Sequence, residues 1–277
     1  MSDAEPTSKR FSIDTLTLLG MPPIEHVRLA ADLGCGYIAT GLSPLPWKLD
    51  DFPAWSLRDN AGLRQELTAV MRAGGVCISH GDGFSARPDI DAKDYAADLD
   101  IFAELGAKRA CGVCMERDLS RALDQIALLA EMTEARGMGF MLEFAPPHAI
   151  NTLSQAHAAI RKIAKPNLSL VIDAMHFFRS GATIAELGDI DARLIGHVQL
   201  CDVPLVSASE DYFQEACFDR RIPGEGELPL QDFLAALPRD VTIGLEIPAL
   251  SAVKSGASLR TIVERSLHAG LRLLDER

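Results

Sequence analysis

The feature that most constrains the fold is a regular alternation of short apolar runs and longer amphipathic segments along the 277 residues. In the longer segments, apolar residues recur at three- and four-residue spacing, which is the pattern of a helix with one buried face. The short runs are apolar at nearly every position, as expected for parallel strands covered on both faces. Several predicted helices end in a glycine just before the next strand, in DLGCG, RAGG and ELGA, which predicts left-handed helix caps.

Eight apolar runs are predicted to be strands. They are FSIDTL (11–16), GYIATG (36–41), GVCISH (75–80), AKRACGVC (107–114), GFMLEFA (139–145), LSLVIDA (168–174), LIGHVQL (194–200) and VTIGLEI (241–247). Eight strand–helix units close a (β/α)8 barrel, and such barrels typically have roughly 250 residues. We therefore predict an α/β fold, a single (β/α)8 TIM barrel over residues 1–277, with residues 1–10 as a flexible N-terminal segment. An open doubly wound sheet is the alternative, but no GxGxxG follows the first strand as its dinucleotide-binding version requires.

The charge balance and the absence of long apolar runs narrow the possible partners. Lys and Arg number 27 against 39 Asp and Glu, and the net charge of −12 disfavours binding to nucleic acid. No apolar run reaches the roughly 18–20 residues of a membrane span, and the N-terminus lacks the apolar core of a signal peptide. We expect a cytoplasmic protein that acts on a small molecule, without a membrane or nucleic-acid partner.

The six cysteines are expected to be free thiols, because most of them lie inside the apolar strand-like runs. Cys111 and Cys114 form a CxxC sequence, which can be a redox or zinc motif. In an extended strand, residues three apart point to opposite faces, so these two thiols would not bind one ion together. We predict that both are buried structural thiols.

Four polar residues close otherwise apolar strands: Glu143, Asp173, Gln199 and Glu246. The active sites of (β/α)8 barrels lie at the carboxyl ends of the strands. Three buried carboxylates without a counter-charge would cost several kcal/mol each or become protonated, and a divalent cation removes that conflict. The all-oxygen set suits one Mn²⁺, Mg²⁺ or similar ion. The alternative is that some of these acids pair with Arg or Lys.

Three histidines follow or lie within predicted strands. His176 comes three residues after Asp173, where it could reach a substrate. His80, in SHGDGF at the end of the third strand, is either an acid/base or substrate-binding residue or a hydrogen-bonded barrel residue. His197 precedes Gln199 by two residues and therefore shares its strand face, deeper in the barrel, where a core histidine is the favoured interpretation.

Substrate-binding candidates also lie in the predicted loops 42–56, 81–92 and 201–229. Arg220 and Arg221, in RRIPGEGELP, could form paired hydrogen bonds with a substrate carboxylate or hydroxyl pair. Trp47 could stack on a substrate ring or pack on its own loop. The long segment 201–229 is typical of a lid or binding loop.

These residues resemble the xylose isomerase-like barrel superfamily, the sugar-phosphate isomerase/epimerase-like group. The matching features are the glutamate of MLEFAPP, the run DAMH at 173–176, the run HVQLCD at 197–202, the RxPGxG run at 221–226 and the glutamate of GLEIP. The resemblance covers about residues 11–273. It implies that Glu143, Asp173, the strand-seven residue and Glu246 bind the metal, that His176 and an arginine of the 220–221 pair contact substrate, and that the barrel forms a homodimer or homotetramer.

Two residues depart from the pattern of the sugar epimerases in this group. Those enzymes usually have histidine where this chain has Gln199, and glutamine there looks like the 3-dehydroshikimate dehydratase branch. Ala145 also replaces a polar residue that some members carry. Endonuclease IV, another relative, would need more histidine and carboxylate ligands than these strands supply, and the net charge opposes DNA binding.

The sequence leaves three functions open. The first is a metal-dependent isomerase or epimerase of a small sugar-like hydroxy-ketone, in which Glu143 and Glu246 act as acid and base, with His176 as a further catalytic candidate. The second is a lyase that dehydrates a cyclic polyhydroxy-ketone such as 3-dehydroshikimate or an inosose, with His176 as a possible base. The third is a barrel that binds a ligand without catalysis.

Overall fold

The computed structural model of the chain describes residues 7–207 and 209–276. Eight strands form a closed barrel in sequence order, and the last strand pairs in parallel with the first. They are β1 Phe11–Ile13, β2 Tyr37–Thr40, β3 Cys77–Ala86, β4 Arg109–Cys114, β5 Gly139–Glu143, β6 Leu168–Asp173, β7 Ile195–Leu200 and β8 Ile243–Leu245. One strand begins in each of the eight predicted runs, and the predicted single (β/α)8 barrel is confirmed.

Helices connect the strands and cover the outside of the barrel. They are α1 Pro23–Asp32, α2 Ala61–Gly74, α3 Ala96–Glu104, α4 Leu119–Glu134, α5 Leu153–Ile163, α6 Ala174–Arg179, α7 Ile184–Gly188, α8 Tyr212–Phe218, α9 Leu230–Ala235, α10 Leu250–Lys254 and α11 Leu259–Asp275. The predicted glycine caps are present, since Gly34, Gly75 and Gly106 all have positive φ angles. None of the described helices has the length and apolar character needed to span a membrane.

Part of the expected flexible N-terminal segment is helical. Residues 7–10 form a 3-10 helix, Thr7–Arg10, and the Arg10 guanidinium donates a hydrogen bond of 3.0 Å to the carbonyl of Val241. This contact joins residues 7–10 to the chain just before β8, and the flexibility of the segment stays a prediction. Residues 1–6 lie outside the described part of the chain.

Two separate sets of apolar side chains fill the molecule. The larger set lies between the strands and the helices, and Cys114 belongs to it. A small set inside the barrel consists of Cys111, Met141 and Val171. The two thiols of the CxxC sequence therefore lie on opposite faces of β4, as the strand geometry predicted.

Two of the predicted loops contain regular structure. Strand β3 continues to Ala86, into the range 81–92 that we expected to be a loop, and its pairing with β4 is irregular between Gly81 and Phe84. A side chain at Gly81 would lie 2.5 Å from the ring of Phe102, so only glycine lets the strand pass this ring. The segment 201–229 contains α8 and a bridge between Asp202 and Arg221.

Asp202 holds the two ends of the long segment together. Its carboxylate accepts hydrogen bonds from the backbone amides of Val203 at 2.9 Å, Gly224 at 2.8 Å and Leu228 at 3.1 Å. A side chain at Gly226 would clash with this carboxylate, because its Cβ would lie 2.2 Å from Oδ1. The aspartate of HVQLCD therefore shapes the loop that carries α8.

Candidate active site

A cavity of about 470 Å³ opens at the carboxyl ends of the strands. Six of the predicted site residues line it: Trp47, Glu143, His176, Gln199, Arg220 and Glu246. Asp173 is fully buried just behind the wall, in contact with Arg220. The strand ends, loops and α8 thus converge on one pocket, as the barrel fold requires.

Arg220 joins the predicted metal ligands into one network. Its Nη1 lies 2.5 Å from Oδ2 of Asp173 and 3.0 Å from Oε2 of Glu246. The amide nitrogen of Gln199 donates a 2.8 Å hydrogen bond to Oε1 of Glu246. The sequence left open that some of these acids pair with arginine, and two of the three do.

His176 links Asp173 to Glu143 on the other side of the network. Asp173 caps α6 by accepting a 2.8 Å hydrogen bond from the backbone amide of His176, the third residue of that helix. In the imidazole of His176, Nε2 lies 3.4 Å from Oε1 of Glu143 and Nδ1 lies 2.6 Å from the hydroxyl of Tyr212. Tyr212 was not predicted from the sequence, because α8 brings it to the pocket from a segment without a strand pattern.

The pKa values of the two carboxyl groups that pair with Arg220 are shifted in opposite directions. Burial raises the pKa of Glu246 well above its usual range, and neighbouring carboxylates add to the effect against the opposing pull of Arg220. Burial acts in the same direction on Asp173, but Arg220 and His176 outweigh it, so the pKa of Asp173 is lowered. Glu246 is therefore the carboxyl group of this pair that more readily carries a proton.

The two adjacent arginines have different environments. Arg220 is 4% exposed, and its Nε donates a 2.7 Å hydrogen bond to the carbonyl of Ala216. Arg221 is exposed, is not among the residues that line the cavity, and contacts the carbonyl of Glu225 at 3.3 Å. The proposed substrate contact of Arg221 is therefore not supported, because its backbone pairs with Asp202 and its side chain leaves the pocket.

His80 lies beneath the cavity and not in its wall. It is fully buried, with Nδ1 3.1 Å from the hydroxyl of Ser79 and Nε2 3.3 Å from Oδ1 of Asp82. Asp82, two residues further along the same face of β3, reaches the pocket instead. His80 is therefore buried in the barrel below the cavity, and its predicted contact with substrate stays a prediction.

A second buried pair lies deeper in the barrel. Nε2 of His197 is 3.0 Å from Oδ2 of Asp14, whose Oδ1 accepts a 2.7 Å hydrogen bond from Ser12. Burial lowers the pKa of His197, partly against the effect of Asp14. His197 is thus a core histidine with a hydrogen-bond partner, as the sequence favoured.

Aromatic side chains form one side of the cavity mouth. The ring of Trp47 lies 5.3 Å from that of Phe213 and 5.5 Å from that of Phe218, measured between centroids. Trp47 and Phe213 also line the cavity. Trp47 therefore packs against the segment that carries α8, and the face that it shares with Phe213 is apolar.

The four predicted metal ligands at the strand ends offer oxygen atoms, which are the donors that a hard divalent cation prefers. Oε1 of Gln199 is buried without a hydrogen-bond partner, although its amide nitrogen is bonded to Glu246. A buried carbonyl oxygen without a partner is costly, and a hard cation is a suitable partner for it. Glu143, Asp173 and Glu246 supply carboxylate oxygens at the ends of β5, β6 and β8, and Arg220 lies between the last two carboxylates.

Comparison with known proteins gives consistent matches. The family model of xylose isomerase-like TIM barrels matches residues 27–266. A putative hydroxypyruvate isomerase of Streptomyces coelicolor is 23% identical over 268 residues, covering 86% of this chain and 90% of that protein. An inosose isomerase of Bacillus subtilis is 29% identical over 121 residues, covering 42% of this chain and only 41% of that protein, which is less than half its length.

Among solved structures, the crystal structure of an IolI protein with a bound zinc atom superposes with a TM-score of 0.77. The superposition covers 96% of this chain and 98% of that one, at 19% sequence identity. This structural likeness shows the fold, and the family model covers most of the sequence. The chain belongs to the xylose isomerase-like TIM-barrel family.

Proposed function

We propose that the protein is an isomerase or epimerase of a small sugar-like hydroxy-ketone and depends on one divalent cation, Mn²⁺, Mg²⁺ or a similar ion. The observation that carries the proposal is the convergence of Glu143, Gln199 and Glu246 on one cavity, with the Gln199 amide oxygen free of hydrogen bonds. The named relatives, an inosose isomerase and a hydroxypyruvate isomerase, support this reaction class.

Glu143, Asp173, Gln199 and Glu246 would hold the cation. When bound, it would polarise a substrate carbonyl and stabilise negative charge that develops on the oxygen. Arg220 contacts two of these residues, so it neutralises the carboxylates in the metal-free protein and adds positive charge beside the substrate. The same guanidinium lines the cavity, where it can donate to a substrate oxygen.

Proton transfer would fall to the two glutamates on opposite sides of the network. Burial raises the pKa of Glu246, and a catalytic acid or base works best when its pKa approaches the working pH. Nε2 of His176 faces Oε1 of Glu143, and its other ring nitrogen, Nδ1, is hydrogen-bonded to Tyr212. In this arrangement Tyr212 orients His176, and His176 orients Glu143 toward the substrate.

The cavity suits a small molecule with an apolar side. Its volume of about 470 Å³ lies within the usual range of roughly 300–1,000 Å³ for small-molecule sites. The polar groups lie on the strand-end side, and Trp47 and Phe213 form an apolar wall. A ring or short chain with its hydroxyl groups toward the glutamates would satisfy both sides.

The direct test is exchange of a substrate proton with solvent. The protein is incubated with Mn²⁺ or Mg²⁺ in D₂O and with inososes, hydroxypyruvate or ketohexoses, and deuterium at the carbon beside the carbonyl is followed by NMR. We expect exchange and interconversion with at least one compound. Absence of exchange with every such ketone would refute the proposal.

The variant that tests the site is Glu246→Gln. It should abolish exchange and lower cation content, because it removes a carboxylate ligand and a proton carrier. Glu225→Gln is the control, since Glu225 is an exposed acid that pairs with Arg265 and does not line the cavity. Unchanged cation content and turnover in Glu246→Gln would contradict the assignment.

Gln199 supports a second candidate, dehydration of a cyclic polyhydroxy-ketone. A glutamine at this position resembles the 3-dehydroshikimate dehydratase branch, and His176 is close enough to Glu143 to share a proton-transfer role. Loss of a β-hydroxyl group would produce an enone with strong ultraviolet absorbance. A rise in absorbance with 3-dehydroshikimate or an inosose would favour this reaction over isomerisation, and no rise with any such ring would exclude it.

A further inference from the structure

A second cluster of potential ligands lies next to the proposed site and takes no part in it. His80, Asp82 and Cys111 each offer a donor atom, and the three donors lie within 4.8 Å of one another. His80 and Asp82 are two residues apart on β3, so both face the barrel interior. Cys111 reaches the same place from β4, because its neighbour Ala110 pairs with Gly81.

The imidazole of His80 supplies an independent sign that a ligand fits here. Its Nε2 is buried and has no hydrogen-bond partner. Asp82 is the nearest acid, but the 3.3 Å contact with its Oδ1 lacks hydrogen-bond geometry. A buried nitrogen that faces a carboxylate and a thiol without a partner is costly unless a further group completes the contact.

Neighbouring hydroxyl groups orient the ring with this nitrogen toward the cluster. The hydroxyl of Ser79 donates its single hydrogen to the carbonyl of Ile38 at 3.0 Å. At 3.1 Å from His80 the same oxygen then accepts a hydrogen bond from Nδ1, so Nε2 is the ring nitrogen that faces the cluster. A hydrogen bond from the far ring nitrogen is the usual support of a metal-binding histidine.

The cluster can be reached from the cavity and has a fourth donor nearby. Asp82 and Cys111 both line the cavity. Oε2 of Glu143 lies 4.0 Å from the Cys111 sulfur. The other oxygen of Asp82, Oδ2, accepts a 2.7 Å hydrogen bond from Thr15, which fixes the orientation of the carboxylate.

We propose that His80, Asp82 and Cys111, with Glu143 as a shared fourth ligand, bind a second divalent cation of the thiol-binding kind, such as Zn²⁺. One imidazole nitrogen, one thiolate and carboxylate oxygens form a typical zinc donor set, whereas Mg²⁺ has no preference for sulfur. On binding, the Cys111 thiol loses its proton to solvent and a metal–sulfur bond forms, with no change of oxidation state.

The deeper trio of Asp14, His80 and His197 is a poorer site, although its donors are equally close. Asp14 and His197 already bond to each other at 3.0 Å. Gly244 packs against both, since a Cβ there would lie 2.1 Å from Asp14 Oδ2 and 2.5 Å from His197 Nε2. None of the three lines the cavity, so the trio lacks the access that Asp82 and Cys111 provide.

Cobalt(II) titration of the metal-free protein tests the site by its sulfur ligand. We expect two bound equivalents and a near-ultraviolet charge-transfer band that only a thiolate ligand produces. Cys111→Ser should lose the band and one equivalent. Cys114→Ser is the matched control, because that buried thiol lies on the same strand and the opposite face, and it should keep both.

The outcomes separate this site from the proposed oxygen-ligand site. Glu246→Gln should lose one equivalent and retain the thiolate band. A wild-type protein without the band, or a band that survives in Cys111→Ser, would overturn the second site. A single equivalent that is lost in Glu246→Gln and kept in Cys111→Ser would refute it while leaving the proposed function intact.

Alkylation of the wild-type protein gives a second measurement that does not depend on a variant folding. Peptide mapping after iodoacetamide treatment should show that Zn²⁺ slows modification of Cys111 at least tenfold, whereas Mg²⁺ does not. The exposed Cys77 serves as the internal control and should react equally in all samples. Equal protection of Cys111 by both cations, or protection by neither, would contradict a thiolate–zinc contact.

Discussion

Arg220 has the strongest influence on the charge balance of the site. Its guanidinium is buried between Asp173 and Glu246, and these acids raise its pKa well above the usual value despite burial. The two carboxyl groups are therefore compensated without a cation. Among the described residues, Glu143 is the one predicted acid ligand without an arginine or lysine at ion-pair distance, and Nε2 of His176 lies 3.4 Å from its Oε1.

Substitution of Arg220 should make the fold depend on a cation. Arg220→Gln leaves two buried acids without a counter-charge, and we expect a loss of about 3–5 kcal/mol in the free energy of unfolding in urea. Added Mn²⁺ should restore much of the loss, since a cation would replace the missing charge. The exposed Arg221→Gln should change stability by less than about 0.5 kcal/mol. A similar loss in both variants would contradict this assignment of charge.

His26 should make the protein sensitive to mild acid. Its pKa is lowered to about 4, mainly by burial, while Nε2 lies 2.9 Å from the carbonyl of Ile13. The unfolded chain takes up a proton below about pH 6.5, whereas the folded protein does so only near pH 4. The contribution of His26 to the free energy of unfolding is therefore fully present above about pH 6.5 and falls by about 3 kcal/mol as the pH drops toward 4.

His26→Gln keeps a donor for the Ile13 carbonyl and removes the titrating group. Urea unfolding between pH 7 and pH 4 should show a smaller decrease in stability for this variant than for the wild type. The decrease in stability that remains in the variant comes from carboxylates that take up protons near the lower end of this pH range. Parallel pH profiles for the two proteins would show that His26 does not contribute.

At the scale of elements, glycines in the strands make room for side chains on both sides of the barrel wall. Gly244 on β8 faces the Asp14–His197 pair, and Gly81 on β3 faces the ring of Phe102. The predicted end of β3 at residue 80 was wrong, because β3 continues to Ala86. A pattern of apolar residues does not show that a strand continues through a polar stretch that contains glycine. The extension places Asp82 in the cavity wall and His80 below it.

Gly244→Ala should disturb the barrel interior. The added Cβ would lie 2.1 Å from the Asp14 carboxylate, so the Asp14–His197 contact or the strand must shift, at a cost of about 1–3 kcal/mol in stability. Gly188→Ala is the control, because a Cβ there meets nothing within 4 Å at the end of α7. Thermal unfolding should show a lowered Tm for the first variant alone, and equal Tm values would contradict the packing argument.

For the whole molecule, the proposed cation should stabilise the barrel, because its ligands come from four adjacent strands. Binding to the folded state alone contributes about 2.7 kcal/mol at a free cation concentration of roughly 100 times Kd. We expect Mn²⁺ to raise the Tm of the wild type and a chelator to reverse the rise. Glu246→Gln should show a much smaller rise. No shift in wild-type Tm at any cation concentration would contradict the cation proposal.

The sequence determined the barrel and the location of its candidate site. Apolar periodicity is a local property, so eight strands could be read from it, and the carboxyl ends of parallel strands must meet at one end of a barrel. Glu143, Gln199 and Glu246 line the cavity for this reason. The opposite directions of Cys111 and Cys114 follow equally from strand geometry.

Only the tertiary structure decided which groups from outside the strand pattern reach those residues. Arg220 and Arg221 are adjacent in sequence, yet the path of the segment after β7 buries one beside Asp173 and leaves the other exposed. Tyr212 meets His176 through the same path. Contacts of this kind depend on how a long connection folds back over the barrel, which residue spacing does not encode.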